Sequence, residues 1–352
     1  MIVNKDIIIG FIGTHTNNDS KGIYKFSFNS SSGKIDRINL AYEIDDPNYL
    51  AIDKERNILY STCSIEKQSG VSSFKFFGEK DYVDLINYNV ENGKEPCHVS
   101  IRKNKQLLIS SNYNENEIKV FNTLDGIILT SHVTVNNEDC EKDLNDENSH
   151  INCSIFSHDE KYILSVDSGK DVLMLYTFNN DKLVAKKHLS YSFPKNSAPK
   201  HITYSKSKPF YYVLAEKSCE IFTLKYNSKK ENPFEKVDVT SIFPKDYKGE
   251  KLASAIHIHK NNKFLYTSDI RNNTITLFYI NDDNGKLEYV DVFDCKGECP
   301  RDFQIDPTGK YLICGNELSN TLSIFSIQQS NGALKFMGTE DVPSPTCVKF
   351  IE

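Results

Sequence analysis

No stretch of this 352-residue chain approaches the ~18 consecutive apolar residues that a membrane-spanning helix needs. The opening residues place Lys5 and Asp6 ahead of "IIIGFIG", too short and too charged for a secretory leader. Positive charge is not in excess either. Lys and Arg total 42 against 48 Asp and Glu, a net charge of −6, and the lysines are scattered among acids. That balance argues against nucleic acid or an anionic membrane as the main partner. G-x-S-x-G, H-E-x-x-H and G-x-G-x-x-G are all missing, so serine-hydrolase, zincin and dinucleotide readings have no support. A disulfide framework is missing as well, because nine cysteines is an odd count without paired spacing. Cys97, Cys153, Cys314 and Cys347 sit inside apolar runs, where a free thiol packs as a small core residue. Cys295 and Cys299 make a lone C-x3-C, a weak metal signal without a second pair. These absences predict a cytoplasmic protein with reduced thiols, requiring no metal and no cofactor.

What is present is repetition. "PNYLAIDKERNILYSTC" from Pro47 returns as "PCHVSIRKNKQLLISSNY" from Pro96 and "INCSIFSHDEKYILSVD" from Ile151. It returns again from Pro199, Ala253 and Pro300, and "PTCVKFIE" from Pro345 opens a seventh copy. A spacing of roughly 50 residues marks stacked supersecondary units. Within each unit a short strand leads through a polar turn, such as Asp306-Pro307-Thr308-Gly309, to a nearly all-apolar strand, such as Tyr311-Leu312-Ile313-Cys314. A third strand follows, near Ile23, Val71, Ile118, Val172, Ile221, Ile275 and Leu322 in the seven units. Turns such as Asn284-Gly285 and Asn331-Gly332 then introduce a more polar fourth strand. β-Branched and aromatic enrichment favours strand over helix. Apolar residues on both faces of the second strand require a sheet on either side, which is the arrangement of a β-propeller. The first copy lacks its first strand and the last copy has only that strand, so the two ends are expected to share a blade. The expectation is one all-β domain over residues 1–352, a seven-bladed propeller closed by "TCVKFI" pairing with "DIIIGFIGT".

Equivalent positions of the units form rings around the axis. After the proline position the ring reads Asn48, Cys97, Asn152, Lys200, Ser254, Arg301, Thr346, and the next reads Tyr49, His98, Cys153, His201, Ala255, Asp302, Cys347. At the end of the second strand it reads Ser64, Asn112, Ser168, Glu216, Ile270, Glu317, with His15 completing it. Structure alone tolerates small or apolar residues at such sites. Lys200 and Arg301 on one ring with Glu216 and Glu317 on another instead form a polar site at one channel mouth. Two other interpretations stand beside this one: the cations pair with those carboxylates as inter-blade salt bridges, and His98 is a satisfied buried histidine. The acidic stretch "NNEDCEKDLNDENSH", residues 136–150, reads equally as a solvated insertion or as a flap over the mouth.

"GTHT" at Gly13, "GIYKFSF" at Gly22, "SSNY" at Ser110, "VDSGKD" at Val166, "APKH" at Ala198, "AEKS" at Ala215 and, most specifically, "PRDFQIDPTGKYL" at Pro300 carry a resemblance. The chain resembles the seven-bladed lactonase propellers, the family of propeller-type 6-phosphogluconolactonase and the carboxymuconate-lactonising enzymes. The family's Pro-His-Ala-His falls on Ser149-His150-Ile151-Asn152, keeping one histidine. Its Gly-Pro-Arg-His becomes Ala198-Pro199-Lys200-His201, which keeps charge but loses the guanidinium fork. Its Asn-Glu becomes Ala215-Glu216, and its Ser-Asn-Arg becomes Ser268-Asp269-Ile270, with an arginine one place late at Arg271.

The resemblance implies a lactone hydrolase, most specifically one opening 6-phosphogluconolactone in the pentose phosphate pathway. Water attack on the ring carbonyl calls for a base and for stabilisation of an oxyanion. Glu216 or His150 is the expected base. Lys200, Arg301, His201, Asn152, Glu317 and Arg271 are the expected contacts to a small anionic sugar lactone. The alternative keeps the scaffold without catalysis, as a ligand- or protein-binding propeller.

Overall fold

The structure, a computed structural model, describes residues 6–16, 19–78, 80–102, 106–136, 149–179, 182–186, 189–244 and 246–351. Their strands form seven antiparallel sheets. Numbered by their innermost strands, the blades begin at Leu50–Asp53, His98–Arg102, Ile151–Phe156, Pro199–Tyr204, Ala253–Ile258, Pro300–Ile305 and Pro345–Phe350. No α-helix occurs among the described residues, and so no helix there is long and apolar enough to cross a membrane. The acidic insertion read as a surface loop or flap lies, for residues 137–148, outside the described residues.

Blade 7 is built from both ends of the chain. Its innermost strand, Pro345–Phe350, pairs with Ile7–Thr14 in the register Gly10↔Phe350, Phe11↔Lys349, Ile12↔Val348 and Gly13↔Cys347. The shared blade expected from the split repeat is therefore present. Each second strand is buried along its length where the repeat is most apolar, as in Phe210–Ala215 and Phe264–Asp269. Each is covered on both faces, because the cores lie between blades. Tyr266 and Leu277 of blade 5, for instance, pack with Phe303, Leu312 and Phe325 of blade 6. Outer strands are more exposed than the strands inside them, most fully so in Leu287–Asp294.

Blade 3 departs from the four-strand unit. Its outer strand is broken into Lys182–Ala185 and Tyr191–Ser192, and both pieces pair with Val172–Asn179. The second piece delivers Phe193 edge-on to Phe222, their ring centroids 4.9 Å apart, in the core shared by blades 3 and 4. Burial of that ring, on the order of 2 kcal/mol, is the packing gain that accompanies the interruption.

Candidate active site

The cavity begins with a backbone irregularity repeated around the ring. In blades 3 to 7 the innermost strand slips register against its neighbour just after its first residue. The slips fall between Ile151 and Cys153, Pro199 and His201, Ala253 and Ile256, Pro300 and Asp302, and beside Thr346. A bulge sets two residues against one and re-aims the strand. Successive side chains, which would otherwise point to opposite faces, now both reach the channel: Lys200 with His201, and Arg301 with Asp302. Loops leaving the second strands add His15, Tyr113 and Glu216. Together they enclose about 330 Å³, room for a small sugar derivative.

Two charged pairs stand at this mouth. Lys200 Nζ bonds Glu216 Oε1, and the second oxygen of Glu216 meets no partner among the described residues. Arg301 Nε lies 3.6 Å from Glu317 Oε2, and Glu317 Oε1 is 2.5 Å from His15 Nδ1. Both pairings join neighbouring strands of one blade. The inter-blade bridges considered from the sequence are therefore replaced by intra-blade ones, with His15 of blade 7 supplying the only inter-blade partner in this set. Burial pushes the Glu317 carboxyl up, but His15 and then Arg301 outweigh it and hold it below the usual carboxylate range. The terminal nitrogens of Arg301 carry no hydrogen bond among the described residues, so its planar fork remains open toward the cavity.

Beneath the mouth lies a layer of ionisable groups drawn from six of the seven blades. Asp302, 3% exposed, accepts from His257 Nε2 at 2.7 Å and lies 3.5 Å from Lys349 Nζ. Lys349 sits over the Tyr49 ring, 4.5 Å from its centroid. Burial alone would raise Asp302; Lys349 and His257 overcome it and keep the carboxyl ionised. His98 is buried, and among the described residues its Nε2 meets only the Cys153 thiol at 3.4 Å, while Nδ1 has no hydrogen-bond partner there. The reading of His98 as a satisfied core histidine thus holds for one nitrogen only. Desolvation pushes it down to about 3, with Lys349 adding to the effect. Burial pushes the thiols of this layer up, Cys97 to about 11 and Cys153 and Cys347 to about 12, which disfavours the thiolate form that a nucleophile needs.

Of the residues picked from sequence, Lys200, His201, Asn152, Arg301 and Glu216 line the cavity, and Glu317 braces Arg301 from behind. His150 does not line it. Its ring stacks on Tyr113 at 4.3 Å and 8°, with Nδ1 3.2 Å from the Tyr113 carbonyl oxygen, so it supports a wall residue. Arg271 is not brought to the site. It is 57% exposed, 3.9 Å from Glu250, because the residue at the ring position is Ile270 and the chain has already turned outward. His257, Lys349 and Tyr113 were missed. For the first two a signal existed, since both lie in innermost strands two places beyond the ring that holds Asp302 and Cys347. No cluster of metal-ligating side chains forms among the described residues.

The same architecture recurs in known proteins. Residues 9–350 match the family described as "Lactonase, 7-bladed beta-propeller". A 6-phosphogluconolactonase of Bacillus subtilis is 30% identical over 345 residues, spanning 97% of this chain and 98% of that one. Among solved structures, a protein from Lactobacillus plantarum superposes with a TM-score of 0.89 at 24% identity, covering 98% of this chain and all of that one. A periplasmic gluconolactonase of Pseudomonas aeruginosa gives a TM-score of 0.89 at 19% identity over 98% and 99% of the two chains; these two likenesses concern the fold. With the blade count, the shared closing blade and a match running almost end to end, the chain belongs to the lactonase family of seven-bladed β-propellers.

Proposed function

We propose that this chain hydrolyses a phosphorylated sugar lactone of the 6-phosphogluconolactone kind. The observation that carries the reading is Glu216 with one carboxylate oxygen unpartnered among the described residues, set beside Lys200 and within the same cavity as the open fork of Arg301. The 30% identical relative from Bacillus subtilis bears that activity in its name. In this scheme Arg301 and Lys200 draw in the anionic group by charge-assisted hydrogen bonds. Glu216 takes a proton from water as the oxygen attacks the ring carbonyl carbon. Collapse of the tetrahedral intermediate breaks the ring C–O bond, and the departing alkoxide recovers the proton from Glu216. Lys200 holds the carboxylate in place, and the incoming anion loosens that bond, which frees Glu216 to act as base.

The competing reading is a binding propeller without turnover. It has one observation in its favour: both cations of the mouth already have carboxylate partners. Purified protein with 6-phosphogluconolactone, spontaneous hydrolysis subtracted, separates the two. Hydrolysis is expected to be accelerated, and Glu216→Gln should lower kcat by ~10²–10⁴ with a smaller change in KM. Arg301→Ala should instead lose ten- to a hundredfold in kcat/KM, since a hydrogen bond to a charged group contributes ~1.5–3 kcal/mol. A wild-type rate equal to the spontaneous one leaves the binding reading standing.

A further inference from the structure

We infer that His201 is the electrophilic residue of this site, a neutral imidazole whose Nε2–H receives the oxyanion formed when the lactone carbonyl is attacked. The inference rests on the hydrolytic reading above and assigns a role which that reading leaves open. Its foundation is a tautomer fixed by the backbone. The Ile256 N–H of blade 5 donates to His201 Nδ1 at 3.3 Å. A peptide N–H can only donate, so Nδ1 must be the unprotonated nitrogen and the ring proton resides on Nε2. Nδ1 is thus spent on the neighbouring blade. Nε2 finds no protein partner among the described residues and belongs to a ring that lines the cavity.

Surrounding groups keep the ring neutral. His257 of blade 5 stands edge-on to it at 5.3 Å. Asp302 of blade 6, the one nearby carboxylate of this deeper layer, is already bonded to His257 and paired with Lys349 of blade 7. His98 of blade 2 and Cys153 of blade 3 close the other side, and Lys200 of its own blade is already paired with Glu216 through Oε1. Burial first, then His257, drives the ring's proton affinity well below that of an ordinary imidazole, with His98 and Lys349 acting in the same direction and Asp302 against them. A protonated ring would also aim a second N–H at that of Ile256. The bulge supplies the last element: because Pro199 and His201, but not Lys200, keep ladder partners, Lys200 and His201 reach the channel together. The group that holds the base and the group that meets the oxyanion are adjacent residues.

In the reaction, the π electrons of the carbonyl move onto its oxygen as water adds. That oxygen accepts the Nε2–H hydrogen bond, and no proton leaves the imidazole. A preorganised donor of this kind contributes mainly to the transition state. With 6-phosphogluconolactone as substrate, His201→Ala is expected to lower kcat 10²- to 10³-fold and to change KM less than threefold. His201→Gln, which retains a neutral N–H donor, should recover at least tenfold of that loss. The ¹⁵N spectrum of the wild-type protein, assigned by its difference from His201→Gln, should show this ring protonated on Nε2 and not titrating between pH 5.5 and 8. If wild type turns over and His201→Ala keeps its kcat, or the ring titrates or carries its proton on Nδ1, the inference falls while the hydrolytic reading survives. If wild type does not turn over, both fall.

Discussion

His98 shows what burial of a single side chain does to the pH response. Its folded pKa, about 3, lies below the ~6.5 of an exposed imidazole, so between those values the unfolded chain binds a proton that the native state refuses. The stability it contributes is fully present above ~6.5 and is lost as pH falls toward 3, by ~1.4 kcal/mol per pH unit. His201 is depressed in the same direction and steepens the slope. Asp302 works in another window: its lowered carboxyl pKa contributes stability present above ~4 and lost only as pH falls below that. Urea unfolding at pH 7 and pH 5 should therefore show a drop of several kcal/mol, and His98→Gln should flatten it by ~2 kcal/mol. An unchanged pH response in that variant would mean His98 takes up its proton in the native state. None of this layer was legible in full from the sequence. The positions of His98, His201 and Asp302 on one ring were, because a ring follows from the repeat. The links Asp302–His257 and Asp302–Lys349 were not, because they join blades 45 or more residues apart in the chain, at distances that spacing does not encode.

The hairpin between third and fourth strands is the element that ties neighbouring blades. Gly332 of the Asn331-Gly332 turn adopts φ +77° with its Cα edge against the Phe264 ring of blade 5, and its carbonyl accepts from Tyr266 Oη at 2.7 Å. One blade earlier the same device recurs, with Gly285 at φ +73° against Phe210 and bonded by Tyr212 at 3.0 Å. Asn-Gly was readable as a turn from its left-handed preference. Its second task was not readable, since it depends on the aromatic two residues before a tyrosine in the preceding blade. Gly332→Ala would place a Cβ 2.8 Å from Phe264 Cδ1 in a conformation that already disfavours alanine. A loss of ~1–3 kcal/mol is expected, against ~1 kcal/mol for Tyr266→Phe, which removes one hydrogen bond and keeps the ring. Denaturant melts measure both, and lactone turnover should stay near wild type because neither residue touches the cavity. The bulges that build the site were invisible for a related reason. A one-residue slip changes no residue type, so the run "PKHITY" reads as regular strand until its partner strand is in place.

At the scale of the molecule, closure of the ring and completion of the channel are the same event. Pro345–Phe350 pairs with Ile7–Thr14 and at once carries Lys349 to Asp302 and Tyr49. The split repeat announced the pairing; that the closing strand also brings the cation of the channel floor is visible only with all blades assembled. The two contributions are separable. Removing residues 345–352 exposes the edge of Ile7–Thr14 and strands a buried carboxylate, so the truncated chain should lose cooperative melting and aggregate. Lys349→Met keeps the strand, its register and most of its apolar stem, and removes only the charge. It should remain monomeric by gel filtration and melt cooperatively, yet lose ~3–5 kcal/mol because Asp302 is left buried without its lysine partner. Adding Asp302→Asn to Lys349→Met removes the stranded charge, so the double variant should be more stable than the sum of the two single losses predicts. Strict additivity would mean that Lys349 stabilises the ring through its stem alone, and that the channel floor holds Asp302 by His257 without help from the closing strand.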